Sequence, residues 1–91
     1  MKLSVYHITF PAECWTISTS RRDAIIESHN LHCWDDEDLI DINESKHCRI
    51  MQAHEIVRVD DGYSEPVIKT VAEWLEGCDG PGEICSAAWV D

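Results

Sequence analysis

The most constraining feature of this sequence is a pair of β-patterned segments near its start, separated by a proline. Residues 2–10 are rich in β-branched and aromatic side chains, and residues 13–18 alternate, with Trp15 and Ile17 on the same side. Alternation with a period of two is typical of a half-buried strand. Pro11 lies between the segments and suits a connection. The sequence therefore predicts an N-terminal antiparallel hairpin.

A helix is expected directly after this hairpin. Ser20 can cap its N-terminus, and Asp23 falls in its first turn, near the positive end of the helix dipole. The helix would run over about 21–29 and end at Asn30, which tolerates the left-handed conformation. The following residues, 34–45, contain no basic side chain and few apolar ones. We expect a surface segment there, with a short strand near 39–42.

A second hairpin is predicted around Asp61-Gly62. An Asp-Gly pair between two β-rich runs is typical of a two-residue type I′ turn, because both central residues need a positive φ. With a turn of this length, Arg58 lies opposite Glu65, and Ile56 lies opposite Val67. Both cross-strand pairings are favourable.

A capping box and a final strand complete the expected fold. Thr70 and Glu73 can cap a helix over about 71–77, and residues 83–90 have a strand-like composition. The expected fold class is α+β: a single small domain, 1–91, with a mostly antiparallel sheet and two short helices in the order ββα-x-ββαβ.

The charge of the chain limits the partners it can have. Eighteen acidic residues against seven basic ones give a formal net charge of -11. Such a field repels nucleic acid and anionic lipid and attracts basic surfaces. Direct binding to DNA or RNA requires lysines and arginines that displace counterions, and few are present. We therefore expect no direct nucleic-acid or membrane partner.

The cysteines and the N-terminus favour a reducing compartment. The chain has five cysteines, and its first apolar stretch is interrupted too early, by His7, Pro11 and Glu13, to match a signal peptide. We expect a cytoplasmic protein with reduced thiols that mostly behave as small buried hydrophobes.

Metal binding is an alternative function. The residue types suggest it, but their spacing in the sequence does not support it. Six candidate ligands are scattered in the middle of the chain: His29, His32, Cys33, His47, Cys48 and His54. Structural zinc sites usually carry a close pair of ligands such as Cys-x-x-Cys. This spacing predicts no cofactor, no zinc clip and no disulfide. A small zinc-binding regulatory module remains the alternative function.

Catalysis and calcium binding find equally little support. Cysteine–histidine catalysis needs a thiolate stabilised by a base or a positive charge, and no nucleophile motif is present. The acidic run at 35–38 lacks the glycine and the distal glutamate of a calcium loop at the required positions. We therefore expect a protein that is not an enzyme.

Three motifs stand out in the C-terminal quarter of the chain: Thr70–Leu75 (TVAEWL), the turn Gly80-Pro81-Gly82, and Ser86–Trp89. Together they resemble the tail of small phage and prophage proteins. The small size, mixed fold and acidity also resemble anti-CRISPR proteins and other inhibitors of host defence. This resemblance implies a phage protein that inhibits a bacterial defence complex in the host cytoplasm.

The segment from Trp34 to Glu44 is the predicted contact surface. Its acidic side chains imitate the charge density of DNA, and Trp34 is the candidate aromatic anchor beside them. A basic surface of a host protein, such as a CRISPR effector complex, is the expected partner. The predicted partner-binding residues are Trp34, Asp35, Asp36, Glu37, Asp38, Asp41 and Glu44.

Overall fold

A computed structural model describes residues 2–10, 12–60, 62–63 and 65–86, and these form the expected α+β fold. The strands form a four-stranded antiparallel sheet, in the order β3-β1-β2-β6, and a separate β4-β5 pair. None of the described helices is long and apolar enough to cross a membrane. The elements are β1 Ser4–Ile8, β2 Cys14–Ser18, α1 Arg21–His32, α2 Asp36–Asp41, α3 Glu44–His47, β3 Cys48–Ile50, β4 Ile56–Val59, β5 Val67–Thr70, α4 Val71–Glu76 and β6 Gly82–Ser86.

The N-terminal hairpin is confirmed and forms the centre of the larger sheet. Strands β1 and β2 pair in a continuous register from Ser4 opposite Ser18 to Ile8 opposite Cys14. The side chains alternate as expected, but both faces of the hairpin are covered. One face contributes Tyr6 to a buried cluster beneath α1, and the other contributes Val5 to a cluster that includes residues of β4 and α4. The larger sheet is therefore the middle layer of the fold.

Helix α1 begins as predicted and ends later. The Ser20 hydroxyl accepts a hydrogen bond from the Asp23 amide at 3.1 Å. Asn30 stays helical, and Cys33 adopts the left-handed conformation instead, with φ of 53°. The expected end at Asn30 is wrong because contacts beyond it extend the helix: His32 bonds to Glu83 of β6 at 2.6 Å.

The strand expected near 39–42 is wrong, because this segment forms α2 and then the short helix α3. Leu39 and Ile42, three positions apart, both pack against the cluster beneath α1, and this spacing suits one face of a helix. Acidic residues in the first turn of α2 also favour a helix N-terminus. The Asn43 side chain accepts hydrogen bonds from two backbone amides of α3 and caps that helix.

The second hairpin is confirmed, but its expected register is wrong. Arg58 lies opposite Ile68 instead of Glu65, and Ile56 lies opposite Thr70 instead of Val67. Strands β4 and β5 are therefore joined by residues 60–66 and not by a two-residue turn.

Two local interactions account for the longer connection. The Asp60 carboxylate accepts a hydrogen bond from the Gly62 amide at 2.9 Å, so a side-chain turn begins at Asp60. Thr70 ends β5 and also caps α4, which fixes the other end of the connection. Asp61 itself lies outside the described residues, and Gly62 has the positive φ, 79°, that the sequence predicts.

Helix α4 has the predicted capping box. The Thr70 hydroxyl accepts from the Glu73 amide at 3.2 Å, and the Glu73 carboxylate accepts from the Thr70 amide at 3.1 Å. Val71 is buried, and the Trp74 ring nitrogen donates to the Val57 carbonyl at 3.2 Å. The predicted last strand is confirmed as β6 to Ser86, and residues 87–90 lie outside the described part of the chain.

We predict that Gly62→Val lowers the free energy of unfolding by about 1–2 kcal/mol, the cost of a left-handed L-residue. Apart from its two chain neighbours, no described residue has a heavy atom within 4 Å of a Cβ built at Gly62, so the cost is backbone strain. Gly80→Val is the matched control, since Gly80 is equally open and has no positive φ. Urea denaturation of both variants tests this. Equal stability of Gly62→Val and wild type would contradict it.

Candidate functional site

The predicted acidic segment forms a helical surface with its carboxylates directed mostly outward. Five of the six predicted acidic residues are exposed, and Asp38 is half-buried. Within the part of the chain that the structure describes, Asp36 is the only one of the six with a basic side chain within 4 Å, the His29 imidazole at 3.5 Å. The segment is therefore a dense, largely unneutralised negative surface.

Apolar contacts attach this acidic surface to the core. Trp34, Leu39 and Ile42 are half-buried and pack against the cluster beneath α1. This cluster includes Tyr6 and Ile8 of β1 and Ile25 of α1, so it ties the acidic segment to the centre of the sheet. Because the anchors lie before, within and after α2, the direction of the carboxylates is set by packing.

Trp34, the aromatic anchor that the sequence predicts, is not freely exposed. Its ring is half-buried and lies parallel to the His32 ring, with 5.7 Å between ring centroids and 12° between planes. Part of its apolar surface is therefore already used inside the protein.

Ile40 is the exposed apolar residue of the acidic helix, and sequence reasoning missed it. Its side chain is 81% exposed, whereas its neighbour Leu39 packs inward. Consecutive residues of a helix point about 100° apart, and here Leu39 takes the inward direction while Ile40 points to solvent.

An open cleft of about 250 Å³ lies between α1 and the acidic segment. Its apolar lining comes from Ile25, Ile26, Leu39 and Ile42, and one basic and one acidic side chain, Arg22 and Glu44, also line it. A cleft of this size accommodates one side chain of a partner. It lies beside the acidic surface, so charge and apolar contacts are available together.

The scattered histidines and cysteines of the sequence do not converge on one another. His47 accepts a hydrogen bond from the Asn43 amide, and Cys48 is buried, while Cys33 and His54 are exposed. Of the six, His32 alone joins a group of three ligand side chains among the described residues, and its companions are Cys14 and Glu83.

The Cys14–His32–Glu83 cluster joins three elements on the α1 side of the sheet. Its ligand atoms all lie within 4.8 Å of one another. Cys14 comes from β2, His32 from the last turn of α1, and Glu83 from β6. An irregularity in the β2–β6 pairing places Glu83 opposite Thr16, and the neighbouring pair is Trp15 with Cys85. Cross-strand partners share a face, so Glu83 lies on the same side of the sheet as Thr16.

Polar side chains surround the cluster. The Cys14 sulfur lies 3.7 Å from the Ser28 hydroxyl, and Ser28 in turn bonds to the Thr16 hydroxyl at 3.1 Å. An open cleft of about 360 Å³ borders the cluster and is lined by Ser28, Glu83 and Glu27, among others. Oε2 of Glu27 is buried and has no hydrogen-bond partner among the described residues.

The buried thiols are not activated nucleophiles. Burial raises the pKa of Cys14, and hydrogen bonding to Ser28 only partly offsets this. Burial likewise raises the pKa of Cys48 and of Cys85 to about 11. At neutral pH all three are thiols, and a catalytic cysteine needs the opposite shift.

No family model, curated protein or solved structure matches this chain. The features available for assigning a function are therefore its own: the acidic surface of α2, the apolar positions beside it, and the Cys14–His32–Glu83 cluster.

Proposed function

We propose that this chain is a non-enzymatic binding protein whose acidic segment docks on a basic surface of a partner protein. One observation carries the proposal: α2 is fixed to the core by Trp34, Leu39 and Ile42 while its carboxylates remain exposed and almost unpaired. Like charges held close together repel one another and cost stability. A basic partner that neutralises them removes this cost.

The partner surface that fits best is one that normally binds nucleic acid. B-DNA presents one negative charge per roughly 1.7 Å of its axis, and proteins meet that density with clustered lysine and arginine. Asp35, Glu37, Asp41 and Glu44 offer carboxylates at several points along one segment of fixed shape. Docking of this kind blocks the groove in which the partner binds nucleic acid. It depends on charge and not on contacts that read a base sequence.

Apolar contacts supply the specificity that charge alone lacks. Ile40 projects from the acidic helix, and the cleft lined by Ile25 and Ile26 lies beside that helix. Apolar anchors surrounded by polar groups are characteristic of interface hot spots. We assign Ile40 the role of inserted anchor, and the half-buried Trp34 supports the segment from behind.

The biological role we propose is inhibition of a bacterial defence complex by a phage-encoded protein in the host cytoplasm. The resemblance of the C-terminal quarter to small phage proteins, and of the whole to anti-CRISPR proteins, supports this role. A CRISPR effector holds nucleic acid in a positively charged channel, which is the kind of surface that the acidic segment complements.

We predict that neutralising the acidic helix weakens inhibition. Asp35→Asn, Glu37→Gln and Asp41→Asn are combined, and the binding of a labelled target duplex by purified CRISPR effector complexes is measured against inhibitor concentration. The variant loses three exposed ion pairs with the partner, each worth about 0.5 kcal/mol. The inhibitor concentration needed for the same inhibition should therefore rise about tenfold. The effect of wild type should also decline as salt rises.

The matched control neutralises three exposed carboxylates elsewhere: Glu65→Gln, Glu76→Gln and Asp79→Asn. It changes net charge equally and should retain inhibition. If both triple variants lose inhibition equally, only overall charge matters; if neither loses it, the acidic segment is not the interface. If the wild-type protein inhibits none of the purified CRISPR effector complexes, the proposed defence target is wrong.

We predict that substitutions at Ile40 and Trp34 have different effects: the first weakens partner binding, and the second lowers the stability of the fold. Ile40→Ser should weaken partner binding while changing the free energy of unfolding by less than about 0.5 kcal/mol, because the side chain is 81% exposed. Trp34→Ala should destabilise the protein, because its ring packs on the core and on His32. Thermal unfolding and the duplex-binding assay are compared. Unchanged binding by a folded Ile40→Ser would exclude Ile40 as the anchor.

A further inference from the structure

We propose that Cys14, His32 and Glu83 form a binding site for a divalent transition metal of the zinc class, beside the cleft that Glu83 lines. The site lies outside the predicted acidic surface. The proposal therefore does not depend on the docking function.

The geometry requires only small side-chain movements. In a tetrahedral zinc site, ligand atoms lie roughly 3.3–3.6 Å from one another, given bonds of about 2.0–2.3 Å. Here the three atoms are within 4.8 Å of one another, and His32 Nε2 and Glu83 Oε1 are 2.6 Å apart. Binding therefore separates the imidazole and the carboxylate slightly and moves them toward the sulfur. Both side chains are partly exposed, at 20% and 16%, and have room to adjust.

The donor set selects the class of metal. One sulfur, one imidazole nitrogen and one carboxylate oxygen suit zinc and related borderline ions, whereas magnesium and calcium prefer oxygen ligands alone. Three protein ligands with a vacant fourth position are the arrangement of accessible zinc sites rather than closed structural ones. The bound metal would displace the Cys14 proton, which then leaves to solvent.

The surroundings of the three ligands support a site that holds a cation. The Ser28 hydroxyl, 3.7 Å from the Cys14 sulfur, is placed to donate to a thiolate. The stacked Trp34 ring restrains the plane of the His32 imidazole. Outer contacts of this kind orient ligands in metal sites.

Glu27 is an independent indication. Its buried Oε2 has no hydrogen-bond partner among the described residues, and Glu27 lines the same cleft as Glu83. A buried carboxylate oxygen without a partner is costly, because it has lost its hydration. The cleft that Glu83 lines therefore contains an unsatisfied acceptor, which suits a hydrated cation.

The competing interpretation is a simple His32–Glu83 hydrogen bond with a buried cysteine nearby. The two interpretations differ in whether the Cys14 sulfur binds the metal. Cobalt(II) distinguishes them, since thiolate ligation produces a charge-transfer absorption that nitrogen and oxygen ligands do not.

The experiment titrates the reduced full chain with cobalt(II) and then displaces it with zinc(II). We expect one ion per chain, a thiolate-to-cobalt band, and an increase in melting temperature. Cys14→Ser should abolish the band. His32→Asn and Glu83→Gln should each weaken binding about 100-fold or more, since loss of outer contacts alone costs 10–100-fold.

The matched controls are Cys33→Ser, His54→Asn and Glu76→Gln, all at exposed positions outside the cluster. They should leave the band and the affinity unchanged. If Cys14→Ser fails to fold by circular dichroism, the two variants at the partly exposed His32 and Glu83 decide the question. Absence of the band in wild type, or a band that persists in Cys14→Ser or disappears in Cys33→Ser, would overturn the proposal.

Discussion

The burial of both faces of the β1–β2 hairpin is the constraint on which the rest of the fold depends. A two-stranded hairpin is marginal in water, and additional packing is needed to stabilise it. Here α1 covers the face of Tyr6 and Ile8, while β4 and α4 contribute to the cluster on the face of Val5. Strands β3 and β6 then extend the sheet on either side by pairing with β1 and β2.

The same arrangement creates both candidate sites. The cluster beneath α1 holds the apolar anchors of the acidic segment, so α2 can carry its carboxylates without contributing much to the core. On the same α1 side of the larger sheet, β2 and β6 pair and carry polar side chains. There Cys14 and Glu83 lie next to the last turn of α1. Folding therefore brings together residues that are 18 and 51 positions from His32 in the sequence.

Local signals in the sequence predicted local structure well. The β-rich composition of residues 2–10 predicted β1, the alternation over residues 13–18 predicted β2, and the Thr70–Glu73 pair predicted the start of α4. Each of these signals depends on neighbouring residues alone. The register of β4 and β5 was not predictable in the same way, since the turn starts at Asp60 and Thr70 is fixed by α4. The Cys14–His32–Glu83 cluster left no linear signal, because its members come from three elements.

The last turn of α1 links the acidic surface to the Cys14–His32–Glu83 cluster. His29 lies 3.5 Å from Asp36, and His32 contacts Trp34 on one side and Glu83 on the other. These contacts also explain why α1 continues past Asn30, since a helix ending there would place neither His32 nor Trp34 against its partner. The His32 ring therefore contacts Trp34, one of the three apolar side chains that hold the acidic segment. The length of α1, set by tertiary contacts rather than by local propensity, is what places the two sites next to each other.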